Sequence, residues 1–108
     1  MRALIIAASV LALGGNAYAG GNAANGKAIS EKVCGACHGV DGAKPVAPEN
    51  PILAGQFDDY LVKALSDYKS GKRANPIMKA FAGQLKKKEI EDLAAWFSSQ
   101  KSSLHFQR

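Results

Sequence analysis

Cys34, Cys37 and His38 are the residues of this chain best placed by type and spacing to do chemistry. They stand in the run Cys34-Gly35-Ala36-Cys37-His38, a C-x-x-C-H pattern, which is the attachment signal for a c-type haem. On a helix, residues three and four apart share a face. Two thiols so spaced can reach one edge of a porphyrin and add to its two vinyl groups as thioethers. The adjoining imidazole then falls beneath the ring centre, where iron requires an axial nitrogen.

Other uses of these residues fit less well. A structural zinc site needs four ligands, and the chain offers Cys34, Cys37, His38 and only the distant His105. A redox dithiol sits at the strand-to-helix junction of a βαβ unit, and no strand pattern surrounds this one. A disulfide between Cys34 and Cys37 would close a very short loop and stabilise little. A chance match to five residues is conceivable, so the rest of the chain has to decide.

The N-terminus supports the haem reading. Met1-Arg2 is a short basic start, Ala3 to Leu13 is apolar apart from Ser9, and Gly14-Gly15-Asn16 breaks the run. Ala17-Tyr18-Ala19 is an A-x-A cleavage site. The apolar run is too short to span a bilayer. Residues 1–19 therefore read as a cleaved secretory signal, and residues 20–108 as one domain beginning at Gly20. Export to the periplasm places Cys34 and Cys37 in an oxidising compartment, where free thiols are a liability. Covalent haem attachment uses both. No later segment is long and apolar enough to cross a membrane, so a soluble protein is expected.

The formal charge of +5 comes from fourteen Lys and Arg against nine Asp and Glu. A modest positive charge suits docking to acidic protein surfaces. The bases are dispersed and no nucleic-acid-binding motif accompanies them, which argues against a nucleic-acid partner. A domain this small has a thin core of its own, with four Phe and one Trp in the chain. A buried porphyrin would supply apolar volume, so the fold is expected to depend on it.

Helical elements must position the motif. The first is expected over 23–37, with Asn22 as N-cap, a left-handed Gly39 as its stop, and Ala24, Ala28 and Val33 as its apolar side. Gly26 inside it costs about 1 kcal/mol relative to Ala and points to close approach of another helix. Residues 39–55, with Gly42, Pro45, Pro48 and Pro51, read as a loop. A second helix is expected over 57–70, with Phe57, Tyr60, Leu61, Ala64, Leu65 and Tyr68 at helical spacing and Gly71 as its stop. Pro76 can start a short turn that carries Met78 and Phe81. A last helix is expected over 87–99, with Ile90, Leu93, Ala94 and Phe97 as its stripe and Trp96 beside it. Residues 101–108 read as a polar tail. No repeat is visible, and one C-x-x-C-H means one haem.

The chain has two methionines, and Met1 lies in the expected signal. Met78 is thus the one methionine available as a second axial ligand. Core filling is the commoner use of Met, but the setting Asn75-Pro76-Ile77-Met78 favours ligation. His105, the other donor, lies in the polar tail. A His/Met pair raises the reduction potential and leaves little room at iron for substrates or gases.

Taken together, Cys34-Gly35-Ala36-Cys37-His38-Gly39, Pro51-Ile52-Leu53-Ala54-Gly55-Gln56, Tyr60-Leu61, Gly71-Lys72-Arg73, Pro76-Ile77-Met78 and Leu93-Ala94-Ala95-Trp96-Phe97 resemble a small bacterial class I cytochrome c. The resemblance covers nearly all of residues 20–108. It implies an all-α fold, with three main helices plus short turns wrapped around one covalent haem c and the first and last helices crossing. Gly26 would sit at that crossing, against Trp96 or Phe97. The resemblance further implies that the Pro51 carbonyl accepts the Nδ1–H of His38 and that Leu53 packs on the porphyrin. Asn75, Arg73 or Gln56 would serve the distal side or the propionates. One departure is Lys86-Lys87-Lys88 where such chains often place a Ser or Thr cap. Lysine caps poorly and opposes the helix dipole, so the cluster reads as a solvated patch or a docking element.

The function expected is that of a soluble periplasmic one-electron carrier, not an enzyme. It would shuttle between a donor respiratory or dehydrogenase complex and a terminal oxidase, peroxidase or reductase. Cys34 and Cys37 would hold the haem, His38 and Met78 the iron. Lys72, Arg73 and Lys79 would face acidic partners. Two rivals are a haem subunit permanently bound to a dehydrogenase, and a gas-binding sensor or peroxidase with an open distal site.

Overall fold

A computed structural model describes residues 20–101, all of them helix, turn or loop, with no strand among them. The expected signal (1–19), His105 and most of the polar tail lie outside the described residues. The elements are α1 (Ala23–Ile29), a π-helical segment (Ser30–Cys34), α2 (Gly35–His38), α3 (Asp58–Ser70), α4 (Pro76–Ala82) and α5 (Lys87–Ser98). No helix of the described residues is long and apolar enough to cross a membrane.

The single helix expected over 23–37 is present as a continuous rod, but its middle is not α-helical. Asn22 caps its start by accepting the Asn25 N–H at 3.1 Å. At Gly35 the N–H reaches back five residues to the Ser30 carbonyl, the π hydrogen bond. One residue is thereby added to the turn, which rotates the rest of the rod by about 100° relative to an unbroken α-helix. The cysteines therefore do not continue the face that α1 presents at Gly26. Gly39 ends the rod with φ 82° and ψ 148°. The φ is positive as expected, but ψ is extended, so this is not the left-handed helical stop. The backbone here turns straight into the loop, in a region that essentially only glycine enters.

The apolar side expected at Ala24, Ala28 and Val33 requires correction. Ala24 and Ala28 are exposed and Val33 is half-buried, whereas Gly26 and Ser30 are buried. The reason is the packing of α1 across α5. A Cβ on Gly26 would lie 2.0 Å from the Asp92 carbonyl oxygen and 2.8 Å from Trp96 Cβ. The face is chosen by size, not hydrophobicity. The close approach expected at Gly26 is present, with the Asp92 backbone as its main neighbour.

Asp92 is 2% exposed, although its neighbours in sequence make it look like a surface acid. Its carboxylate accepts the Asn22 N–H at 2.6 Å, the Asn25 side-chain amide at 2.6 Å and the Lys88 ammonium at 2.9 Å. The start of α1 is thus tied to the middle of α5. Burial pushes the Asp92 pKa up, but the hydrogen bonds from Asn25, Lys88 and Asn22 outweigh it and hold the group below its usual value.

The core lies between α5 and α3, built from Leu61, Leu85, Ile90, Leu93, Ala94 and Phe97. The α5 stripe is buried throughout. In α3, by contrast, only Leu61 of the expected stripe is buried, while Leu65 is half-buried and Tyr60 is 48% exposed. Phe57 is the N-cap of α3, one residue outside the helix, and Gly71 closes it with φ 84°. The poor cap at Lys86 is offset by Glu89, whose side chain accepts the Lys86 N–H at 2.9 Å. Glu89 also places negative charge in the first turn, favourable for the dipole, and Asp92 pairs with Lys88 at 2.9 Å.

Because the Asp92 pKa is depressed on folding, its stabilisation is present above the ordinary carboxylate pKa and is lost as pH falls through the folded value. Asp92→Asn should lower stability by about 2 kcal/mol at pH 7. In thermal melts at a series of pH values, the gap between parent and variant should narrow as pH falls below the ordinary carboxylate range. A gap that persists unchanged into acid would contradict this role.

Candidate functional site

The attachment turn is positioned chiefly through three backbone carbonyls. The first is that of Val40, just past the motif. It accepts the Ser30 hydroxyl at 2.8 Å and the Trp96 indole N–H at 2.7 Å. Ser30 is fully buried and Trp96 lies on α5, so one oxygen ties the π segment, the loop and the last helix together. The second is the Cys37 carbonyl, which accepts the Val46 N–H at 3.0 Å and the Asn50 side-chain amide at 3.1 Å. The third is the Pro51 carbonyl, 2.9 Å from His38 Nδ1.

A carbonyl can only accept, so Nδ1 of His38 carries the proton and donates it to Pro51. His38 is buried, at 7% exposure. In the neutral ring this tautomer puts the lone pair on Nε2, which is the form a metal ligand needs.

Cys34 and Cys37 are unbridged and half-buried. Burial, with the nearby Cys37 thiol as a smaller contribution, pushes the Cys34 pKa up to about 11. It is a neutral thiol at physiological pH. A redox dithiol needs the opposite, a depressed pKa and a ready thiolate. Cys34 packs against the core cluster, as does the half-buried Leu53. The Leu53 N–H is held by the Gly42 carbonyl at 2.9 Å, and Gly55 N–H by that of Phe97 at 2.8 Å.

Met78 comes from a separate element. Asn75 caps α4 by accepting the Ile77 and Met78 N–H groups at 3.1 and 3.0 Å, and Pro76 fills the first helical position. The Met78 side chain is half-buried. Asn75 thus has a capping task in addition to any distal one. The Gln56 side chain accepts the Phe57 N–H at 2.9 Å. The Arg73 guanidinium lies 4.7 Å from the Tyr68 ring centroid and 3.5 Å from the Tyr60 hydroxyl.

The donor set fits a haem better than a bare ion. Among the described residues no group of three or more His, Cys, Asp or Glu side chains is arranged to hold a metal ion. The site offers one imidazole nitrogen, oriented by its own hydrogen bond, and two unbridged cysteine thiols. Those are the groups that a porphyrin carrying its own four nitrogen donors and two vinyl groups would use.

Sequence reasoning misses Ser30, Asn50 and Asp92. Ser30 and Asp92 sit at helical positions where polar side chains usually face water. For Asn50, its place immediately before Pro51 is the available signal.

The Cytochrome c family model matches residues 23–101. Cytochrome c4 of Pseudomonas aeruginosa is 48% identical over 94 residues, covering 87% of this chain and 46% of that protein. Cytochrome c-553 of Helicobacter pylori is 35% identical, covering 85% of this chain and 96% of that one. The crystal structure of reduced recombinant cytochrome c4 from Pseudomonas stutzeri superposes with a TM-score of 0.70 at 41% identity, covering 78% of this chain and 48% of that chain. This chain spans about half the length of the cytochrome c4 relatives it matches. The chain belongs to the cytochrome c family, with the class I fold and covalently bound haem c.

Proposed function

We propose that the chain is a periplasmic one-electron carrier whose haem is held by Cys34 and Cys37 and whose iron is ligated by His38 and Met78. The observation that carries the reading is the His38–Pro51 hydrogen bond, which engages Nδ1, orients the imidazole and leaves Nε2 as the nitrogen available to iron. Cys34 and Cys37 supply thioether links, each formed by addition of S–H across a vinyl group, and the neutral state of the Cys34 thiol suits that addition. His38 offers a nitrogen made more basic by its Nδ1–H bond. Met78 offers a thioether sulfur from a capped, proline-started helix. When bound, haem c supplies the one-electron couple.

With His38 and Met78 both holding the iron, a bound haem would keep no coordination position for a substrate, which would favour a carrier over an oxygen- or peroxide-handling enzyme. The leader-like residues 1–19 support a periplasmic location. Partner recognition falls to the positive surface. Lys72, Arg73 and Lys79 are exposed and precede or flank Met78 in sequence. Acidic docking surfaces on the donor and acceptor complement them, with electron-transfer rates that fall as salt rises.

Two experiments test the reading. Changing both Cys34 and Cys37 to Ala should abolish covalent haem, read as loss of haem stain on a denaturing gel. Stain retained by the double variant would overturn the attachment. Met78→Ala should convert a protein that resists carbon monoxide in its reduced state into one that binds it readily. Equal binding by parent and variant would remove Met78 from the iron and favour the open-site rival.

A further inference from the structure

Two consecutive residues of the attachment turn are bonded to two consecutive residues of the loop. The Cys37 carbonyl accepts the side-chain amide of Asn50 at 3.1 Å, and His38 Nδ1 donates to the carbonyl of Pro51 at 2.9 Å. Both contacts are partly buried, and both join residues thirteen apart in sequence. The first bond sets the register in which the second can form.

Pro51 cannot anchor itself. It has no N–H, and it is exposed. The direction of its carbonyl depends on the residues on either side. On the far side, the Leu53 N–H is held by Gly42. On the near side, Asn50 is the only residue of the pair with a side chain that reaches the attachment turn. Its own N–H is tied to the Ala47 carbonyl at 3.1 Å. As the residue before a proline, its backbone is biased to extended conformations. A fixed backbone and a fixed side chain leave Asn50 one orientation in which to present Pro51.

We propose that Asn50 is a positioning residue that sets the Pro51 carbonyl against His38 Nδ1 and thereby lowers the reduction potential of the iron. The inference rests on the reading that His38 ligates iron. A stronger Nδ1–H···O bond makes the imidazole a better donor, and a better donor favours the ferric state. Loosening that bond shifts the balance toward ferrous iron. A side chain that only stabilised the loop would change the melting temperature and leave the potential alone.

The test uses the haem-loaded protein from an exporting, haem-attaching host. Asn50→Ala should shift the reduction potential upward and speed solvent exchange of the His38 ring N–H about tenfold, the scale of one lost hydrogen bond. An unchanged potential with an unchanged exchange rate would overturn the proposal, even if the variant melts earlier. Should the variant fail to load haem, NMR of the reduced parent decides. One Asn50 side-chain amide proton should be protected from exchange by the Cys37 carbonyl, and two freely exchanging protons would overturn the role. The same spectrum separates this proposal from the one beneath it. Ring-current-shifted His38 signals report axial ligation independently of Asn50, and their absence would sink the ligation reading instead.

Discussion

The close crossing of α1 over α5 at Gly26 governs the arrangement of the whole molecule. Where a Cβ would stand 2.0 Å from the Asp92 carbonyl oxygen, no side chain fits without moving a helix. Helix propensity opposes glycine there by about 1 kcal/mol, so the approach itself has to offset that cost. It does so through Asp92. The same crossing brings the Asn22 N–H and the Asn25 amide onto a buried carboxylate. A buried charge left without those partners would be strongly unfavourable. Crossing and carboxylate therefore stabilise each other.

From this crossing the attachment turn is suspended. The π segment leaves α1 at Ser30, directly beyond the contact with α5, and changes the phase of the rod before the cysteines begin. The turn is then fastened by backbone oxygens. Val40 is held from the π segment and from α5, Cys37 from the loop by Val46 and Asn50, and Pro51 holds His38 in return. Backbone carbonyls make good anchors because their positions follow from the chain path rather than from a rotamer. The thiols, by contrast, carry no tuning hydrogen bond of their own among these contacts, and burial keeps Cys34 neutral. The chain thus orients the imidazole closely and leaves the thiols to be consumed.

Much of this is legible in the sequence because the relevant signals are local. C-x-x-C-H, the proline-rich loop, the Asn75-Pro76 start of α4 and the apolar stripe of α5 each declare themselves within a few residues. The parts that are not legible involve long-range choices. Ala24 and Ala28 look like a packed face because they are apolar, yet the crossing selects by volume and takes Gly26 and Ser30. Asp92 looks like one more surface acid because its partners, Asn22 and Asn25, lie some seventy residues away. The π turn leaves no periodic mark, since one extra residue in a helix changes neither composition nor caps. The stripe of α3 has the right period, but Tyr60 is an amphipathic side chain that can remain half in water. The lysine run at the start of α5 looks poorly capped because a reciprocal bond from Glu89 is a property of the folded turn.

Under the proposed function, ligation of the iron by both His38, oriented by Pro51, and Met78, carried by α4, would make the protein a carrier rather than an enzyme. It is probed most directly by the near-infrared spectrum of the oxidised, haem-loaded protein. A sulfur-to-iron charge-transfer band, present in the parent and lost on replacement of Met78, is the expected result. A parent spectrum without that band, or a band that survives replacement of Met78, would contradict the closed site.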